Sequence, residues 1–128
     1  MAFQISEQFE AIGKAINLKT VVVVGGVDSI KQSLALSKMP HVVIATPGRL
    51  ADLLRSTDTF NLKKIKFLVM DEADRLLESS FSEDLGDIFD EIPKDRQTLL
   101  FTATLSEPIQ ELREAKEKKP FFYEVKSE

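Results

Sequence analysis

The stretch Phe67-Leu68-Val69-Met70-Asp71-Glu72-Ala73-Asp74 passes directly from four apolar residues to two adjacent carboxylates. An apolar run of this length, taken with its neighbours, predicts a buried strand of a parallel sheet. Open α/β sheets bind their ligands at the carboxyl ends of such strands, which is where Asp71 and Glu72 would lie. There the first carboxylate suits a hydrated magnesium ion and the second suits an attacking water. This pairing is typical of nucleoside triphosphatases.

Length and composition limit the classes of protein and the kinds of site that the chain can form. The chain has 128 residues, 43% hydrophobic and 30% charged, which is typical of one folded domain and of neither a disordered nor a membrane protein. It has no Cys and one His, His41, so disulfides and zinc sites with several His are excluded, and His41 is interpreted as structural. The first nine residues do not form a secretory signal. The net charge of −4 weighs against nucleic-acid binding by charge alone, but it allows a small site that grips a phosphate backbone.

Apolar runs and helical periodicity alternate along the chain, which predicts a parallel sheet covered by helices on both faces. Ser106 is expected to cap the last helix, and Lys116 to Lys119 to be its solvated end. The first helix is expected to be amphipathic, with one apolar side made of Phe3, Ile5, Phe9, Ile12 and Ile16. The predicted strands are 20–24, 41–45, 67–70, 97–101 and 121–125, and the predicted helices are 3–16, 29–36, 50–55, 81–91 and 107–116.

Polar segments follow three of the predicted strands. Thr46-Pro47-Gly48-Arg49, Asp71-Glu72 and Thr102-Ala103-Thr104 should therefore share one edge of the sheet. Alone, each has a plainer interpretation. The first is a turn with a helix cap, the second is an acidic helix start, and Gly25-Gly26 is an ordinary turn. Their combination favours a functional edge.

Taken together, these segments resemble the DEAD-box ATP-dependent RNA helicases. Asp71-Glu72-Ala73-Asp74 is the literal signature of that family, Thr46-Pro47-Gly48-Arg49 matches its TPGR motif, and Gly25-Gly26 matches its glycine doublet. Thr102-Ala103-Thr104 matches its Ser-Ala-Thr motif, with a Thr that keeps the hydroxyl of the first Ser. The agreement runs from Ala2 to Tyr123. The chain looks most like the nucleolar members that process ribosomal RNA.

The resemblance implies a fold and a set of roles. It implies a RecA-like α/β fold of the P-loop NTPase type, with ATP and Mg²⁺ as cofactors of the full-length parent. Asp71 would hold magnesium through water and Glu72 would activate the hydrolytic water. Asp74 would couple nucleotide state to RNA grip through Thr102 and Thr104. The residues that would contact the RNA backbone, without reading bases, are Gly25, Gly26, Thr46, Gly48 and Arg49.

Several family features are missing from the 128 residues. There is no Gly-x-x-x-x-Gly-Lys-[Ser/Thr] phosphate loop, no adenine-reading glutamine motif and no second RecA-like domain. We therefore expect residues 1–128 to form a partial helicase ATP-binding domain that begins at an internal Met. By the family's strand order, the phosphate-loop strand and the strand after it would be absent from the interior of the sheet, the second from between the strand ending at Asp71 and the one ending at Ala45. Ladder groups would be left unpaired and apolar faces uncovered.

Three functional classes remain to be weighed. The first is an ATP-dependent RNA helicase whose isolated fragment is inactive, and the second is a non-catalytic RNA- or protein-binding fragment. The third, a receiver-type phosphoacceptor domain, lacks its acidic cluster and its lysine in the required places. The resemblance also implies an intracellular, nucleolar location with no membrane contact. The expected partners are RNA, the second helicase domain of the parent and pre-ribosomal particles.

Overall fold

A computed structural model describes residues 1–114 and 121–125 of the chain. Within them, short parallel strands alternate with helices. The strands are β1 (Thr20–Val23), β2 (Val42–Ala45), β3 (Phe67–Met70) and β4 (Gln97–Leu100). The helices are α1 (Ala2–Gly13), α2 (Ser29–Ser37), α3 (Pro47–Ser56), α4 (Ala73–Leu76), α5 (Ser82–Glu91) and α6 (Glu107–Arg113), with 3₁₀ turns at Lys14–Ile16 and Ser79–Phe81.

The described strands form two parallel pairs rather than one continuous sheet. β1 pairs with β2, with Thr20 opposite Val42, and β3 pairs with β4, with Phe67 opposite Gln97. No described strand lies between β2 and β3, and a cleft of about 320 Å³ opens there, lined in part by Val43 and Phe67. The predicted α/β class with parallel strands is confirmed, and the break falls where the sequence predicts a missing interior strand.

The core consists of two clusters that share side chains. The larger contains Val23, Leu36, Leu53, Phe60, Leu62 and Ile92, and the smaller contains Met70, Ala73 and Ile109. Leu68 of β3 and Phe89 of α5 pack against both clusters. These two side chains therefore join the two halves of the core.

The apolar side of α1 is not the side that packs. The helix buries Ser6 and Gly13, whereas Ile12 is 82% exposed and Ile16 is 75% exposed. Ser6 bonds the hydroxyl of Thr20, which in turn donates to Glu10, so a polar contact fastens α1 to β1. The predicted helix is present, but most of its apolar side is exposed, because periodicity identifies an apolar face without identifying what covers it.

At the end of the chain, the predicted strand is wrong and the predicted cap is confirmed in position only. Residues 121–125 form no strand and are exposed, since aromatic and β-branched residues form a strand only where a partner strand is available. Ser106 stands at the N-cap of α6, but its side chain makes no capping bond. The segment Lys116 to Lys119 lies outside the described residues.

The other boundaries agree closely with expectation. β3 has the predicted bounds, and α3 begins at Pro47, three residues earlier than predicted, because proline suits the first turn of a helix. The short helix α4 is not among the predicted helices, but it begins where the plainer interpretation of Asp71-Glu72 places an acidic helix start. His41 accepts a hydrogen bond at Nδ1 from the Lys19 amide (2.9 Å), a structural contact before β2. Among the described residues, no helix is long and apolar enough to cross a bilayer.

Two glycines offer a matched test of the packing. A Cβ at Gly13 would lie 2.4 Å from Cβ of Leu18, whereas a Cβ at Gly86 would meet nothing within 4 Å. Gly13→Ala should lower the free energy of unfolding by about 1–3 kcal/mol through overpacking. Gly86→Ala in the middle of α5 should raise it by about 0.5–1 kcal/mol. Urea unfolding followed by circular dichroism would measure both, and equal effects would contradict the packing of α1.

Candidate functional site

The predicted site residues lie at the carboxyl ends of the two strand pairs. We call Gly25, Gly26, Thr46, Gly48 and Arg49 the glycine edge, and Asp71, Glu72, Asp74, Thr102 and Thr104 the carboxylate edge. The β1–β2 ladder continues into the glycine edge, where the Thr46 amide donates to the Val23 carbonyl (3.0 Å). At the carboxylate edge, the amide of Phe101 donates to Met70 and the amide of Ala73 donates to Phe101 (both 2.9 Å).

The glycine pair presents open backbone. Gly26 has a φ of +77°, in the left-handed region that glycine adopts without strain. Neither Gly25 nor Gly26 has any atom within 4 Å of the place where a Cβ would stand. Both are exposed, as are Thr46 and Gly48 across the strand pair. A ligand can therefore approach the main chain of this edge closely.

The start of α3 supplies hydrogen-bond donors. Pro47 has no amide hydrogen, and the Leu50 amide already donates to the Thr46 carbonyl (3.1 Å). The amides of Gly48 and Arg49 are thus the first-turn donors with no carbonyl one turn back in the helix. The Thr46 hydroxyl makes no capping bond to them. Such a helix start favours an anion.

Arg49 is tied to the chain through one of its nitrogens. Its Nη1 donates to the Val27 carbonyl (2.8 Å) and to Oε1 of Gln32 (3.3 Å). Among the described residues, no hydrogen bond is recorded for its Nε or Nη2. A guanidinium edge with two parallel donors is the geometry that pairs with a phosphate. The sequence indicated Arg49 as a ligand contact, but its internal bonds were not anticipated.

Acidic side chains stand close to the glycine edge. A Cβ at Gly48 would be 3.8 Å from Oδ2 of Asp84, and the other oxygen of Asp84 accepts from Arg55 Nη2 (3.0 Å). Arg55 also donates to Asp87 (2.5 Å), and hydrogen bonds to Asp87 and then Asp84 raise the pKa of Arg55. Arg55 thus offsets the negative charges of Asp87 and of Asp84, the carboxylate beside Gly48.

Asp71 and Glu72 are both exposed at the end of β3. Oδ1 of Asp71 accepts from the Glu72 amide (3.0 Å), and no hydrogen bond is recorded for its second oxygen among residues 1–114 and 121–125. Glu72 has a φ of 50° and caps α4, a left-handed conformation that costs a non-glycine residue roughly 1–2 kcal/mol. Its carboxylate pairs with Arg75 Nη1 at 3.3 Å. The turn therefore leaves two adjacent carboxylates exposed, that of Glu72 in contact with Arg75.

The rest of the carboxylate edge is a small hydrogen-bonded group. The hydroxyl of Thr104 donates to Oδ2 of Asp74 (2.7 Å), and that of Thr102 donates to the Thr104 carbonyl (2.8 Å). The bond from Thr104 lowers the pKa of Asp74, helped by the Arg75 amide and opposed by partial burial. The structure thus brings together the three residues that the sequence predicts as a coupled set.

Asp71 fits a magnesium ion only in part. No group of three or more His, Cys, Asp or Glu side chains that could hold a metal occurs among the described residues. Asp71 can supply one ligand through water, which suits Mg²⁺ because that ion keeps several waters. The sequence has no phosphate loop, so these residues do not by themselves form a binding site for a nucleoside triphosphate.

Some residues near the edges escaped the sequence interpretation. Asp28 caps α2 by accepting from the Ile30 amide (2.9 Å), and an Asp just before a predicted helix is a signal that would have found it. Gln32 and Arg55 form hydrogen bonds with side chains 17 to 32 positions away. No local sequence pattern marks such contacts.

Comparison with known proteins covers almost the whole chain. Residues 1–112 match the model of the DEAD/DEAH box helicase family. The chain is 55% identical to mouse "Probable ATP-dependent RNA helicase DDX49", over 99% of the chain and 27% of that protein. It is 55% identical to "ATP-dependent RNA helicase dbp8" of Schizosaccharomyces pombe (100% of the chain, 30% of that protein). It is also 48% identical to "ATP-dependent rRNA helicase rrp3" of Botryotinia fuckeliana (99% and 26%). The chain thus spans about a quarter to a third of the length of these relatives.

The Asp74 carboxylate gives a direct test of the carboxylate edge. Thr104→Val removes the bond that lowers the pKa of Asp74 most, so this pKa should rise towards its ordinary value. Wild-type Asp74 stabilises the fold above the ordinary carboxyl pKa and loses this effect as the pH falls through its lowered pKa. Stability should therefore depend less on pH in this acid range in Thr104→Val. Carboxyl-carbon NMR titration would measure the pKa.

Thr102→Val is the matched control for this titration. Its hydroxyl donates to a carbonyl and contributes least to the lowered pKa of Asp74, so the change should be the smaller one. A larger change for Thr102→Val than for Thr104→Val would contradict the observed geometry.

Proposed function

Because the chain belongs to the DEAD/DEAH box helicase family, we propose that it supplies part of the ATP-binding domain of an ATP-dependent RNA helicase. The observation that carries the proposal is the placement of both polar edges at the carboxyl ends of parallel strand pairs. One edge offers backbone and guanidinium donors for phosphate, and the other offers carboxylates for magnesium and water. Such an enzyme couples ATP hydrolysis to RNA unwinding or to remodelling of RNA–protein complexes.

In this proposal the glycine edge grips the RNA backbone. Gly25 and Gly26 allow the phosphates to approach the main chain, and the first-turn amides of α3 donate to them. Thr46 adds a hydroxyl, and Arg49 adds the guanidinium edge whose nitrogens are not used internally. All of these contacts are to phosphate and sugar, so binding does not depend on RNA sequence.

The carboxylate edge acts on the nucleotide side. Asp71 would hold a magnesium ion through water, and Glu72 would orient and activate the water that attacks the terminal phosphate. Magnesium, when bound, would neutralise charge on the phosphates. Asp74 connects the end of β3 to Thr102 and Thr104, and the group links nucleotide state to the grip on RNA.

For the isolated chain, we propose that catalysis is absent. No residue in the sequence replaces the phosphate loop or its lysine. The contacts that would hold a triphosphate next to Glu72 are therefore missing. RNA binding through the glycine edge does not need that loop. A non-catalytic RNA-binding fragment is therefore the activity we expect of these 128 residues alone.

The relatives suggest a biological setting. One of them is named an rRNA helicase, which supports ribosomal RNA as the substrate and a nucleolar location. The second helicase domain of a full-length parent and pre-ribosomal particles would be its partners. Contact with further polypeptide is favoured by the uncovered apolar side of β3, where Phe67 is 62% exposed and Val69 is 56% exposed.

RNA binding would be tested with Arg49→Met, a change that removes one phosphate contact. Affinity for a fluorescein-labelled oligouridylate should fall about tenfold at constant salt. The slope of log K against log salt should become shallower by about 0.7, as expected for one phosphate contact on a single strand. Fluorescence anisotropy at several KCl concentrations gives both quantities.

Lys63→Met is the control for this experiment. It also removes one positive charge, but it lies before β3, at the opposite end of the strand from the carboxylate edge. Its affinity and salt slope should match those of the wild type. Equal losses for the two variants would indicate binding by general charge and would count against the glycine edge as the RNA site.

ATP turnover would be tested with the purified chain and its Glu72→Gln variant. Phosphate release in the presence of RNA and Mg²⁺ should equal the background rate for both proteins, because the triphosphate is not held. Turnover that is present in the wild type and absent in Glu72→Gln would overturn the proposal that the isolated chain is inactive.

A further inference from the structure

Gln32 is a buried polar residue that the proposed function does not use. Its side chain lies on α2 and is only 4% exposed. Burying an amide is costly unless its donors and acceptor are satisfied, so a buried Gln on a short surface helix requires partners. Its partners are Val24, directly before the glycine pair, and Arg49 of the glycine edge.

The hydrogen bonds of Gln32 close a ring around the glycine pair. Nε2 donates to the Val24 carbonyl (2.9 Å), directly before Gly25. Oε1 accepts from Arg49 Nη1 (3.3 Å), and the same nitrogen donates to the Val27 carbonyl (2.8 Å), directly after Gly26. With the amide turned the other way, an NH₂ group would face the guanidinium, so this orientation is the one that satisfies both contacts.

The glycine pair depends on this ring for its shape. Gly25 and Gly26 meet no atoms where a side chain would stand, so packing does not hold the turn. Gly26 also adopts a left-handed conformation, one of the many open to glycine in a free chain. The bonds to the carbonyls on both sides of the pair restrict this freedom.

The same ring orients Arg49. Both hydrogens of Nη1 are used internally, which leaves the Nε and Nη2 edge to face a ligand. We infer that Gln32 is a positioning residue for RNA binding, which fixes the glycine turn and the Arg49 guanidinium relative to each other. This inference rests on the proposed RNA-binding function of the glycine edge. Gln32 itself contacts no RNA, and it acts by presenting two phosphate contacts in one geometry.

The test compares Gln32→Met with Gln110→Met. Methionine keeps the length of glutamine and removes both hydrogen bonds. Gln110 is a matched control because its side chain also donates to a backbone carbonyl, that of Leu105 (3.3 Å), but lies on α6. Affinity for labelled oligouridylate should fall about tenfold in Gln32→Met and stay unchanged in Gln110→Met.

Two further readouts separate positioning from loss of folding. The salt slope of Gln32→Met should equal that of the wild type, unlike the slope of Arg49→Met, because no phosphate contact is deleted outright. Amide NMR shifts should change at Gly25, Gly26 and Val27 and not in β3 or β4. If Gln32→Met does not fold, Gln32→Glu keeps the acceptor for Arg49 but places an oxygen against the Val24 carbonyl in place of the donor, so amide shifts should change at Gly25 and Gly26 and affinity should still fall.

The outcomes distinguish failure of this inference from failure of the proposed RNA-binding function of the glycine edge, on which it rests. If wild type and Arg49→Met bind RNA equally, or neither binds, the glycine edge is not an RNA site and both proposals fail. If Arg49→Met is weakened while folded Gln32→Met binds as the wild type does, only the role of Gln32 is refuted. The inference also fails if affinity falls in proportion to the unfolded fraction alone.

Discussion

Side-chain packing between α3 and α5 holds the two halves of this molecule together. No described backbone ladder joins β2 to β3, so side chains connect the strand pairs, among them Leu68, Phe89 and the ion pairs of Arg55 with Asp84 and Asp87. Apolar contacts are non-directional, and exposed ion pairs each contribute little. The distance between the glycine edge and the carboxylate edge therefore rests on weaker constraints than the geometry inside either edge.

The geometry of each edge is well defined because the ladder of its own strand pair is well defined. Parallel pairing places the residues after β1 beside those after β2, and the residues after β3 beside those after β4. This is why β1 to β4 and the polar segments after them could be predicted from the sequence, although the prediction of one shared edge was wrong because the strands form two separate pairs. The strand-forming runs are local signals, and the edge follows from them by the geometry of a parallel ladder.

What the sequence could not predict depends on contacts between distant residues. The apolar residues of α1 form a face, but the buried positions are Ser6, which contacts Thr20 of β1, and Gly13, which lies against Leu18. Residues 121–125 have the composition of a strand and no partner strand among the described residues. The internal bonds of Arg49 depend on Gln32, 17 positions away. The left-handed Glu72 likewise follows from the turn into α4 rather than from its own preference.

The two edges differ in what they need in order to bind. The glycine edge relies on backbone amides and one guanidinium, and the chain itself holds these groups through α2 and α3. At the carboxylate edge, Asp71 and Glu72 are exposed. Carboxylates repel a triphosphate unless a metal and amide donors lie between them. Those donors belong to a phosphate loop that the 128 residues lack. For the proposed function, the fold thus carries a surface that needs little more than itself to bind RNA, together with carboxylates that would need groups from outside the chain to hold a nucleotide.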